Sequence, residues 1–152
     1  PAQRGHDGRG REVRILLDGF KSVLAEATAH LGELDSALLV VNEAIEQAER
    51  AGWEERAHYA ELLRIKGWVL SLNGDLEGAE QNYRASLDWA RQQQAKSWEL
   101  RTSTSLARLW QSQGMRREAH DLLAPIYGWF TEGFDTKDLK EAKALLDELG
   151  AR

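Results

Sequence analysis

A chain of 152 residues with 42% apolar and 30% charged side chains has the material for one packed core and does not have the composition of a disordered segment. Its formal net charge of −5 works against binding to a phosphate backbone, and no run reaches the roughly 18 apolar residues that span a bilayer. The absence of cysteine excludes disulfides, thiolate catalysis and cysteine-ligated zinc, so the expectation is a cytoplasmic domain whose partners are neither nucleic acid nor membrane. A chain that opens on Pro1 rather than methionine reads as a piece of a longer protein.

Two prolines, abundant Ala, Leu, Glu, Arg and Gln, and few β-branched runs predict an all-α fold. Residues 1–10, with three glycines and no periodicity, read as a flexible lead. From Val13, the positions Leu16, Leu17, Phe20, Leu24, Ala27 and Leu31 keep the spacing of one helix face, and Gly32 should end that helix. A second helix runs from Asp35 to about Ala51, with Leu38, Val41, Ile45 and Ala48 inward and Gly52 after it. A third spans about Glu55 to Asn73, carries Leu62, Val69 and Leu70, and stops at Gly74.

Asp75 stands where an N-cap carboxylate accepts from the exposed amides of a fourth helix. That helix runs to about Gln93 and turns Leu76, Ala79, Tyr83, Leu87 and Ala90 inward. A fifth covers roughly Ser97 to Gln113 and a sixth begins near Arg116, with Pro125 expected to kink or restart it. Asp135 or Thr136 should cap a last helix, about 137–149, whose narrow stripe of Leu139, Ala142, Leu145, Leu146 and Leu149 suits a capping element that is polar on its other side.

The blocks repeat. Gly32, Gly74 and Gly114 lie 42 and 40 residues apart, and each is followed five residues later by Ala37, Ala79 and Ala119. Twelve residues before each of these alanines stands Ala25, Gly67 or Ala107, and four after each stands Val41, Tyr83 or Leu123. Small residues at matched places let two helices cross closely, and the bulky neighbour fills the gap beside the crossing, so the unit is a helical hairpin. Gly74-Asp75 is then a turn: a phosphate loop would need more glycines with a lysine or a preceding strand.

This pattern resembles tetratricopeptide repeats, with a period longer than their usual 34 residues and no proline closing each unit. The resemblance implies a superhelix of three antiparallel hairpins, about 11–52, 55–93 and 97–131, plus the capping helix, all in one domain. The segments "SLARLW" and "GWFTEGFDTKDLKEAKALLDEL", within residues 90–150, closely resemble the carboxyl-terminal end of a family of large bacterial signalling proteins. In these a class III adenylate or guanylate cyclase domain, or in relatives a DNA-binding regulator domain, precedes an ATPase module and tetratricopeptide repeats. The resemblance implies a non-catalytic regulatory tail, with any catalysis in other parts of the parent.

Candidate binding residues follow from helix phase. Trp68, Glu61 and Arg64 share the face of a hairpin's first helix that lines the concave groove in such repeats, and the same offsets in the third hairpin select Arg101, Thr104 and Arg108, with Gln111 one turn beyond. An aromatic platform with three arginines suits a protein or peptide segment bearing acidic and apolar groups, or another domain of the parent chain. Trp68→Ala and Arg64→Glu are expected to weaken such binding with little change in melting temperature. Of the six tryptophans, Trp53, Trp89, Trp98, Trp110 and Trp129 should mostly pack between hairpins.

No cofactor or metal site is expected. His6, His30, His58 and His120 are too scattered for a helical ligand pair, Ser103, Thr104 and Ser105 read as helix-surface hydroxyls, and Glu54-Glu55 reads as a solvated helix start. The alternatives to a partner-binding domain are a self-association or spacer module, making a homo-oligomer, and the sensor of an ATPase-type transcription regulator.

Overall fold

A computed structural model describes residues 21–50 and 58–151. The flexible lead, Val13 to Phe20, Gly52, Trp53, the pair Glu54-Glu55, the start of the third helix and His6 lie outside the described residues. The described chain is all helical, with no strand: α1 (21–30), α2 (Leu34–Arg50), α3 (Tyr59–Leu72), α4 (Leu76–Gln92), α5 (Lys96–Ser112), α6 (Arg116–Trp129) and α7 (Lys137–Gly150). Consecutive helices pack against one another from α2 onward, and α3 meets α5 as α5 meets α7.

One terminator recurs. Asp75 N–H donates to Leu70 O at 2.9 Å while Gly74 N–H donates to Ser71 O, with Gly74 at φ +85°. This pairing of a six-residue and a four-residue closure stops a helix by satisfying its last carbonyls, and it needs a left-handed residue between them. The ends of α1 and α5 repeat it at Gly32 and Gly114. The end of α4 repeats it as well, but with Gln94 at φ +54°. A left-handed non-glycine residue costs on the order of 1 kcal/mol, so Gln94→Gly should raise stability by about 0.5–1 kcal/mol, read as a higher denaturant midpoint with an unchanged slope.

Asp75 caps α4 through its carboxylate, which accepts from Gly78 N–H at 2.9 Å. Thr136 occupies the corresponding place before α7 but makes no such bond; its hydroxyl donates backwards to Gly133 O at 2.7 Å. The other end of α7 is held from outside by Arg116, whose guanidinium donates to the carbonyls of Glu148 and Ala151. Pro125 neither breaks nor restarts α6, which runs through it to Trp129.

The small residues meet where the repeat places them. A Cβ added to Gly67 would stand 2.8 Å from the ring of Tyr83 and 3.0 Å from Ala79 O, so α3 and α4 cross in near backbone contact. Ala25, Ala37, Ala79, Ala107 and Ala119 are all fully buried, as are Val41, Tyr83 and Leu123 beside them. Two buried hydroxyls link three helices: Ser86 donates to Ala60 O at 2.6 Å and shares a 2.8 Å hydrogen bond with Thr102.

Several expectations about exposure are corrected. Leu24, Ala27 and Leu31 of α1 are exposed, while Ala25 and Ala29 are buried, because close crossing selects the small-residue face over the bulky one. Leu76 is exposed at the first position of α4, before the helix has turned toward the core. Ser103 and Thr104 are buried rather than on a helix surface, since α5 is flanked by α3, α4, α6 and α7. Trp89 and Trp98 pack against Tyr59 and His58, and Trp110 lies between two core clusters, but Trp129 is 57% exposed at the end of α6.

Candidate functional site

Alternate helices build one face. Residues of α1, α3, α5 and α7 converge on a cavity of about 680 Å3, which Leu76 and Tyr83 of α4 also line. Six of the seven residues selected by helix phase line it: Glu61, Arg64 and Trp68 from α3, and Arg101, Thr104 and Arg108 from α5. Gln111 does not; one turn on, its amide donates to Glu148 of α7 at 3.2 Å.

The arginines are not equivalent. Glu61, almost fully buried, accepts two hydrogen bonds from Arg64, at 2.6 and 2.9 Å, and a third from Arg101 at 3.0 Å. Arg101 reaches on to Asp138 of α7, donating at 3.0 and 3.3 Å, and so joins three helices across the cavity wall. Burial raises the Glu61 pKa, but the hydrogen bonds and charges of Arg64 and Arg101 outweigh it, and the carboxyl is held below the ordinary glutamate value. Burial works against the charge on both arginines too, and Glu61, joined at Arg101 by Asp138, more than restores it.

Two of the three arginines are therefore engaged within the fold. Arg64 is a structural residue, and Arg64→Glu would set a carboxylate against the buried Glu61, so the expectation of an unchanged melting temperature does not hold for it. Arg108 is different: it is exposed and has no hydrogen-bond or ion-pair partner among the described residues. Trp68 is half-buried; it packs against the cores on both sides of α3 and against His30 of α1, with ring centroids 4.8 Å apart. Its edge lines the cavity, but its removal would also open the core.

Helix phase did not select several lining residues. Glu26 is one repeat before Trp68 and two before Arg108, so the same offsets pointed to it. Lys137, Asp138 and Glu141 come from α7, which departs from the repeat period, and no sequence signal linked Asp138 to Arg101. Tyr83 contributes a phenol whose pKa burial pushes up to about 12, so it stays a neutral donor at the cavity edge. Around the cavity Glu26, Glu61, Asp138 and Glu141 balance Arg64, Arg101, Arg108 and Lys137.

Thr104 and Ser105 donate to the carbonyls of Leu100 and Arg101 in their own helix, at 2.9 and 3.2 Å. His30 and His58 pack at a tilt against Trp68 and Trp98, and His120 lies 3.7 Å from Asp121. Among the described residues no three His, Asp or Glu side chains are grouped to hold a metal ion, and no helix is long and apolar enough to cross a membrane. Comparison with known proteins finds no family model and no curated protein that matches the chain.

Proposed function

We propose that this chain is a non-catalytic, tetratricopeptide-type interaction and regulatory domain, of the kind found at the carboxyl-terminal end of bacterial adenylate or guanylate cyclase signalling proteins. The observation that carries this reading is the cavity walled by alternate helices α1, α3, α5 and α7, in which Arg108 has no partner among the described residues while its neighbours Arg64 and Arg101 do. Because Arg108 is exposed in the lining with no hydrogen-bond or ion-pair partner among the described residues, the cavity fits a protein segment that presents one carboxylate to Arg108 and apolar groups to Trp68, Leu76 and Leu109. Glu61 serves this site as an ionised acceptor that orients two arginines, not as an acid that gives up a proton.

Displayed random 12-residue peptides, selected on the full chain, test the reading directly. Peptides combining an acidic residue with apolar ones should be enriched, and Arg108→Glu should weaken their binding at least tenfold, about 1.4 kcal/mol, at an unchanged melting temperature. Selected peptides that bind Arg108→Glu as well as the original chain would overturn the site. The parentage is tested by the coding sequence upstream of Pro1: a class III cyclase domain followed by an ATPase module supports it, and a DNA-binding domain there would make the chain a regulator's sensor.

A further inference from the structure

The repeat says what should cover each face of a first helix. On α3, Ile65 and Val69 are buried against Val41, Ala44, Ile45 and Ala48 of the preceding helix α2. On α5, Leu106 and Leu109 are buried in the same way against Ala79, Tyr83 and Leu87 of α4. Counting back by the repeat, these positions on α1 are Val23, Leu24 and Ala27. All three are exposed, Val23 at 63% and Leu24 at 42%, and Leu31, on the same stripe, is 80% exposed. The face that α3 and α5 each use against a neighbouring helix is apolar on α1 and is not covered by the described residues.

We infer that this face of α1 is the contact between two copies of the chain, related by a two-fold axis. Head-to-tail stacking is disfavoured by the other end of the molecule, because α7 turns Lys140, Lys143 and Asp147 outward. A face that cannot pair with the far end pairs with itself, and a self-paired face closes as a dimer. The spacing is self-complementary. Leu24, Ala27 and Leu31 follow the 3-4 seam of paired helices, and antiparallel pairing about Ala27-Thr28 sets Leu24 of one copy against Leu31 of the other with the small Ala27 at the crossing. The same axis brings the exposed Glu33 of each copy to the Lys21 end of its neighbour.

Sedimentation equilibrium of the full chain across a dilution series should show a species of twice the 17.2 kDa chain mass that dissociates on dilution. Leu31→Glu, at a side chain that is 80% exposed, should weaken that dimer at least tenfold without loss of helicity. Because the chain has no cysteine, a single introduced one reports only on itself: Ala27→Cys should cross-link in air, and Glu118→Cys on α6 should not. A chain that stays at its single-copy mass at every concentration overturns the inference, as does a dimer unaffected by Leu31→Glu or a cross-link no faster at position 27 than at 118. Arg108→Glu should leave the mass unchanged, which separates failure here from failure of the groove.

Discussion

Glu61→Ala is expected to lower stability by about 3–5 kcal/mol, and the melting temperature by on the order of 10 °C. The carboxylate is nearly buried and accepts from both Arg64 and Arg101, so its removal leaves the Arg64 guanidinium, itself largely buried, without its hydrogen-bonded counter-charge and with only the weaker influence of Glu26. Arg101 suffers less because Asp138 remains bonded to it. Removing one member of such a pair costs more than replacing both, so Glu61→Leu combined with Arg64→Leu should be more stable than Glu61→Ala alone. Chemical denaturation at neutral pH checks the order, and a Glu61→Ala chain within about 1 kcal/mol of the original would show that water replaces the carboxylate freely.

The same residue sets a pH dependence whose sign follows from its lowered pKa. In the unfolded chain Glu61 titrates near the ordinary glutamate value, about 4.3, and in the fold it titrates lower. Its ionic contribution is thus fully present above the unfolded value and is lost as pH falls through the folded one. Glu61→Gln keeps one acceptor and abolishes the charge. The stability gap between the original chain and Glu61→Gln should therefore be widest at neutral pH and shrink in acid. A gap independent of pH would mean that the charge on Glu61 contributes nothing.

Ala79→Arg should be at least as damaging. Ala79 has no exposed surface, and its carbonyl lies 3.0 Å from the point a Cβ on Gly67 would occupy, so the α3–α4 crossing has no room for a longer side chain. Overpacking of this kind costs about 1–3 kcal/mol, and an arginine that cannot reach solvent adds the cost of an unpaired buried charge. The same change at Gln81, exposed on the same helix, should be within about 0.5 kcal/mol of the original and controls for the added charge. Ala79→Arg and Gln81→Arg melting alike would contradict the close crossing.

How much was legible differs from residue to residue. The turns at Gly32, Gly74 and Gly114 were, because a left-handed helix end favours glycine strongly enough to mark the sequence. The equivalent turn at Gln94 was not, since glutamine carries no such mark and only the cap hydrogen bonds impose the conformation. The crossing at Gly67, Ala79 and Tyr83 was legible through the repeat of small and bulky residues. The buried face of α1 was legible in that repeat and hidden in hydropathy, where the bulkier stripe through Leu24 and Leu31 dominates.

The candidate site divides the same way. Helix phase, the repeat offset and the likeness to tetratricopeptide repeats together selected Glu61, Arg64, Trp68, Arg101, Thr104 and Arg108, which line one cavity; residues at three- and four-residue spacing share a face, and the repeat carries that face from α3 to α5. They could not tell a committed arginine from an available one, nor keep Gln111 from Glu148. By itself the sequence determined the helical elements, their glycine stops and the period at which small residues recur, since these depend on local backbone preference and on spacing along one chain. Only the tertiary structure decided that Asp138, 37 residues from Arg101, completes the ion network, that Arg108 has no partner among the described residues, and that α1 presents an exposed apolar stripe. Charge pairing and burial depend on what arrives from distant parts of the chain, and no local pattern encodes that arrival.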